Sequence, residues 1–319
     1  MIRFARFALV SGLAGAALLG QTQDGSKAAN QTRRAADAIL PSRQDLAYGP
    51  HARNALDLWL ARSERPTPLL VYIHGGGFVK GDKSSASTRL IQRALDSGVS
   101  FAAVNYRFLA SAPVQDILRD CARAVQYLRS RAGEFHLDKT RVAVMGSSAG
   151  AGTSLWLAFH DDLADPNSPD PVLRESSRVA AAVASSTQAT YDVLRWAEFL
   201  GEAAASYRKG DAAGAAFFGL KSLEDLNSPA GRKIRADVDM LAWVSKDDPP
   251  VYLVSSKRFE NPDSRGAVLH SPLHAYAVKR ACDAAGVPAT VRVIDESEAR
   301  SADADYFSFL LGRLGVKAK

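Results

Sequence analysis

A chain of 319 residues with 47% apolar and 23% charged residues can bury a large core and is too apolar to be disordered. Its 40 Lys and Arg against 34 Asp and Glu leave a formal charge of +6. The basic residues are scattered, without the runs and interleaved aromatics of a nucleic-acid surface, so no nucleic-acid partner is expected.

In chain order, Arg3 and Arg6 precede the apolar stretch 7–19, shorter than the ~20 residues of a spanning helix and suited to a secretory signal. Residues 1–20 are therefore expected to be a signal peptide, with export to the periplasm or outside the cell and no membrane span in the mature chain. An uncleaved N-terminal anchor is the alternative. Residues 21–44, rich in Gln, Ala, Ser, Thr and Arg, show no sustained period and read as a linker to a domain over 45–319.

Leu56, Leu58 and Leu60 alternate with Asp57 and Trp59, the pattern of a half-buried strand, and the apolar run 69–73 predicts a buried one. Helices are expected over 88–96, 114–131 and 149–159, alternating with strands over 100–106, 141–145 and 179–185. Residues 187–239 turn Ala-rich and helical without strands, as an inserted cap would. Strands over 251–255 and 290–294 follow, with a helix opening at Ser271-Pro272 between them and a closing helix over 303–314. The alternation predicts an α/β fold, a mainly parallel sheet with helices on both faces. Cys121 and Cys282 fall on helices several strands apart, beyond the ~7 Å Cα separation a disulfide tolerates, so two buried free thiols are expected.

Gly146-Ser147-Ser148-Ala149-Gly150 is a G-x-S-x-G pattern placed directly between a strand and a helix. Such a turn exposes the serine hydroxyl, and its glycines avoid collisions with neighbouring backbone, which makes Ser148 the candidate nucleophile. Upstream, His74-Gly75-Gly76-Gly77-Phe78 closes the strand over 69–73, where acyl transfer needs backbone N–H groups free to hold an oxyanion. No Lys-Ser/Thr follows in the spacing of a phosphate-binding loop.

With HGGGF, the Asn105-Tyr106-Arg107 triplet, GSSAG and a cap insertion, the chain resembles an α/β-hydrolase of the carboxylesterase and hormone-sensitive-lipase type from about Tyr48 to its C-terminus. The resemblance implies an α/β-hydrolase fold and an oxyanion hole from the amides of Gly76, Gly77 and Ala149, with His74 orienting the loop. In that family's chain order an acid follows the penultimate strand and a histidine follows the last. Here Asp295-Glu296-Ser297-Glu298 follows the last strand, and 275–319 contain no histidine.

Of the six histidines, His51, His74, His136 and His160 lie near the first strand, in the oxyanion loop, before the elbow strand and at the far end of the elbow helix. His270 and His274 remain, at the carboxyl end of the strand over 251–255, where ligands bind in such sheets. His270 is the candidate base, with Asp263 or Glu260 as its acid, while His274, one turn into its helix, is expected to pack or face solvent. Asp247-Asp248-Pro249-Pro250 reads as a turn. Asp161, Asp162, Asp165, Asn167 and Asp170 lack the closing Glu of a calcium loop, so neither metal nor cofactor is expected. Trp196, Phe199 and Tyr207 fall at helical spacings in the cap and suit its core. The expected activity is hydrolysis of a small-molecule carboxylic ester, short-acyl or sugar-linked, through an acyl-enzyme on Ser148. The alternative is a weak or inactive hydrolase that binds a ligand or partner.

Overall fold

The apolar runs assemble into one eight-stranded sheet, seen in a computed structural model that describes residues 39–207 and 211–317. Its strands are β1 (Arg43–Ala47), β2 (Ala55–Trp59), β3 (Thr67–Ile73), β4 (Ser100–Val104), β5 (Leu137–Ser147), β6 (Ala181–Ser185), β7 (Val251–Ser256) and β8 (Ala289–Ile294), in the spatial order β1-β2-β4-β3-β5-β6-β7-β8. β2 runs antiparallel to both of its neighbours, β1 and β4, and every pairing from β4–β3 to β7–β8 is parallel. This is the α/β-hydrolase fold. The expected signal peptide, and the expected linker as far as residue 38, lie outside the described residues.

The longer helices are α1 (Thr88–Asp96), α2 (Val114–Ser130), α3 (Ala149–Phe159), α4 (Pro229–Val238), α5 (Arg265–His270), α6 (Pro272–Ala285) and α7 (Ala299–Arg313). Ser271 caps α6, its hydroxyl accepting from the Leu273 amide with Pro272 following, so the sequence signal marks a real helix start. Between β6 and β7 the described residues form no strand, only 3-10 turns such as Val193–Trp196, short helices such as Ala197–Leu200 and Asp211–Phe217, and the longer α4. Trp196 packs with Leu200, Ala204 and Val268 as a small apolar cluster apart from the main core. Phe199 is packed against that cluster, and the Tyr207 side chain lies outside the described ones.

Three expectations need correction. β1 begins within the span read as linker: it is a polar, exposed edge strand that pairs on one side only, so no apolar period announces it. β2 is buried on both faces because Asp57 meets Lys83 at 2.7 Å and Trp59 packs edge-on to Phe101 at 5.9 Å. The segment before Ser271 is helical (α5), started by a Ser264 cap that accepts from the Ala267 amide. Cys121 and Cys282 are both free and buried.

Candidate active site

Ser148 sits between the end of β5 and the first turn of α3 with φ 53° and ψ −117°, a left-handed φ that a non-glycine residue adopts only under local constraint. The register imposes it. Ile73 pairs with Gly146 and Ser147 with Ser185, and the Ser148 amide donates to the Ser185 carbonyl at 2.9 Å. A Cβ on Gly150 would strike the carbonyl of Ile73, and one on Gly146 the carbonyl of Gly150, so the motif's glycines let α3 close against β3.

The loop after β3 is held from behind by side chains. The neutral His74 ring donates from Nδ1 to the Gly75 carbonyl at 2.7 Å and accepts at Nε2 from Arg53 Nη2 at 3.4 Å. Burial pushes the His74 pKa down, in keeping with that neutral tautomer. Tyr106 stacks on the ring at 4.2 Å and donates to the His74 carbonyl at 2.7 Å, while Arg53 also donates to the carbonyls of Tyr106 and Gly81. Both His74 nitrogens are thus committed. Among the described residues no hydrogen bond occupies the amides of Gly76, Gly77 or Ala149, and all three residues line the same cavity as Ser148.

His270 ends α5 and places Nε2 2.9 Å from Ser148 Oγ. Burial holds its pKa below the ordinary histidine value, opposed by a backbone hydrogen bond to Gly266 one turn back on the same helix. A neutral imidazole at this distance can take the hydroxyl proton. Phe259 lies against the ring at 5.4 Å.

The acid position differs from expectation. Asp263 and Glu260 are exposed, and neither hydrogen-bonds His270. The reason is local: α5 starts right after Asp263 and carries His270 more than a turn beyond it. The turn after β8 holds an ion pair between Asp295 and Lys257 at 2.8 Å.

His274 faces no solvent. It is fully buried, accepting at Nδ1 from the Ala189 amide at 3.1 Å and donating from Nε2 to the Val268 carbonyl at 3.0 Å. Burial drives its pKa down to about 4. His160 is clamped between Trp156 and Trp243 at 4.4 Å from each ring, and meets Asp237 at 3.2 Å. The acidic stretch from Asp161 serves local turns: Asp162 accepts from the Ala164 and Ser177 amides, Asp165 from Asn167, and Asp170 from Val172. Among the described residues no cluster of His, Cys, Asp or Glu has the form of a metal site.

A cavity of about 520 Å³ opens in front of Ser148. Its walls are mostly apolar, formed by Phe78 and Leu109 together with Tyr191, Val193, Trp196, Phe217 and Phe218 of the cap segment. Tyr191 is anchored by donating to the Ala149 carbonyl at 2.8 Å, and Gly152 leaves room for its ring. Sequence reasoning did not find Arg53, Gln188 or Tyr191 as site residues. Their roles arise from contacts across 21 to 81 positions, which no local motif encodes.

A family model described as BD-FAE matches residues 56–260. A probable isoprenylcysteine alpha-carbonyl methylesterase of Arabidopsis thaliana is 27% identical over 140 residues, 44% of this chain and 29% of the relative. A probable carboxylic ester hydrolase of Mycobacterium tuberculosis is 31% identical over 150 residues, 44% of this chain and 33% of the relative. The chain thus spans about a third or less of these curated relatives. Among solved structures, a truncated carbohydrate esterase from gut microbiota superposes with a TM-score of 0.68 at 18% identity, covering 88% of this chain and 98% of that one. A propionate-bound thermophilic esterase of Thermogutta terrifontis gives 0.62 at 16% identity, covering 88% and 98%. Among the described residues no helix is long and apolar enough to cross a membrane.

Proposed function

The chain belongs to the BD-FAE family, and on that premise we propose that it is a serine hydrolase of carboxylic esters, acting through an acyl-enzyme on Ser148. The 2.9 Å approach of Ser148 Oγ to His270 Nε2, beside uncommitted amides in an apolar cavity, carries this reading. Ser148 Oγ attacks the ester carbonyl carbon while His270 Nε2 takes its proton. The carbonyl oxygen gains the negative charge and is received by the amides of Gly76, Gly77 and Ala149, one such donor being worth ~2.7–4 kcal/mol in the transition state. As the C–O bond to the alcohol breaks, the imidazolium returns the proton to the departing oxygen. Water then repeats the sequence on the acyl-enzyme, releasing the acid and restoring Ser148.

The acyl group is short and aliphatic, packed among Phe78, Tyr191 and Phe217, and a sugar alcohol can stand outside the cavity. The likeness to a carbohydrate esterase supports the sugar-linked form. Arg3, Arg6 and the apolar stretch 7–19 support export to the periplasm or beyond.

Incubation with a fluorophosphonate probe and peptide mapping tests the proposal, alongside turnover of short acyl esters by the native chain and Ser148→Ala. The expected result is an adduct on Ser148 and turnover that Ser148→Ala abolishes. No adduct and no turnover would leave the second reading, a hydrolase fold that only binds, for which the lack of a carboxylate against His270 among the described residues speaks.

A further inference from the structure

α5 is six residues long, too short to be stable alone, and it bears His270 as its last residue. Carbonyls in a last helical turn have no partners within the helix and need donors from elsewhere. Two side chains supply them. His274 Nε2 donates to the Val268 carbonyl at 3.0 Å, and Gln188 Nε2 donates to the Leu269 carbonyl at 2.8 Å.

The two donors form one strap, Gln188 from the start of the cap and His274 from the first turn of α6. Gln188 is itself in the cap entry, and His274 Nδ1 accepts from the neighbouring Ala189 amide at 3.1 Å. The strap is buried: Gln188 is 5% exposed and His274 0%. Trp196 and Phe199 of the cap close on the His274 ring edge-on at 4.9 and 5.1 Å, and Val268 of α5 packs into the Trp196 cluster. The helix carrying His270 is therefore fastened to the cap entry at two successive carbonyls immediately before the imidazole.

We propose that Gln188 and His274 are positioning residues that set the distance between His270 and Ser148, making the cap entry part of the machinery that delivers the base. The inference rests on the reading of Ser148 and His270 as nucleophile and base. Neither positioning residue exchanges a proton with substrate; both act through the backbone of α5. A single amide can reproduce what the His274 ring supplies, one acceptor for Ala189 and one donor for Val268, whereas a phenyl ring fills the space beside Trp196 and supplies neither.

The test compares kcat, KM and the pH dependence of kcat on a short acyl p-nitrophenyl ester for the native chain, Ser148→Ala, His270→Ala, His274→Phe, His274→Gln and Gln188→Leu, with thermal unfolding of each. His274→Phe is expected to lower kcat by about 10²-fold, the lower end of what a positioned base contributes, with KM changed less than about threefold. Its acidic limb is expected to move to higher pH, because an imidazole released from its buried seat regains hydration and with it a higher pKa. His274→Gln should recover kcat to within about threefold, and Gln188→Leu should lower it about tenfold. If His274→Phe fails to fold, Gln188→Leu decides alone. Folded His274→Phe and Gln188→Leu variants with native kcat and an unmoved acidic limb overturn the proposal while Ser148 and His270 keep their roles. Native turnover that survives Ser148→Ala or His270→Ala overturns the underlying reading, and the positioning role with it.

Discussion

Lys257 Nζ lies 2.8 Å from Asp295 Oδ2, tying the turn after β7 to the turn after β8 where the resembling family carries its histidine. Glu298 completes the arrangement, with Lys257 at 3.6 Å and its carboxylate accepting from the Asp295 amide at 2.9 Å. Both partners of the pair are substantially solvent-exposed, and such pairs contribute little. Lys257→Ala is accordingly expected to leave kcat and the unfolding midpoint where they are. A tenfold loss of kcat in steady-state assay would place this turn in the mechanism after all.

Burial holds the His270 imidazole neutral below the ordinary histidine pKa of ~6.5. A base must be unprotonated to act, so the acidic limb of kcat/KM for the native chain should have its midpoint below pH ~6.5. A pH profile on a neutral ester reads it directly, and a midpoint above 7 would contradict a buried imidazole as the base.

His274 has its pKa depressed to about 4, so the folded chain resists its protonation and the unfolded chain does not. The stabilisation is complete above ~6.5 and is lost as pH falls toward 4, with a size of about 3 kcal/mol. Urea unfolding at pH 7 and pH 4 should show this loss in the native chain. In His274→Gln the loss should be smaller by that amount, and equal slopes in the two proteins would reject the assignment.

Gly150→Ala would drive a Cβ into the Ile73 and His74 carbonyls, which are backbone and cannot swing away. Overpacking of this kind costs typically 1–3 kcal/mol, and here it must displace the oxyanion loop from the elbow. The expected result is a lowered unfolding midpoint with kcat down by at least tenfold. Gly133→Ala, where nothing lies within 4 Å, serves as the control.

Where a carboxylate orients a catalytic histidine, changing it to the amide costs orders of magnitude in kcat. Asp263 is exposed and away from His270, so Asp263→Asn should retain kcat within about threefold. A loss of a hundredfold or more would show that the carboxylate reaches the imidazole when substrate is bound.

Most of the strands and longer helices from residue 55 onward were legible, α1 from its amphipathic period and the wholly buried α3 from its place directly after the elbow motif. α1 and α3 match the expected limits, Thr88–Asp96 and Ala149–Phe159. β1 was not legible, since an exposed edge strand reading Arg43-Gln44-Asp45-Leu46-Ala47 has no apolar face to announce it. Ser148 could be found from five contiguous residues, as could the glycines of the oxyanion loop. The surroundings of His270 could not. Asp263 was a reasonable acid from chain order, but a helix begins immediately after it. Of the two side chains that hold that helix, Gln188 stands 81 positions from its partner Leu269, and His274, six positions from Val268, is itself fixed by the Ala189 amide 85 positions away.

The strand register at Ser148 has a consequence for which fluctuations the molecule can tolerate. The Ser148 amide is bonded to Ser185 within a central parallel sheet, so it can exchange its hydrogen only when β5 and β6 separate, close to global opening. His270 rides on a six-residue helix fastened by two side chains and one small apolar cluster. Nucleophile and base thus belong to units of unequal cooperativity, and hydrogen exchange should protect the Ser148 amide more strongly than the amides of the helix that carries His270.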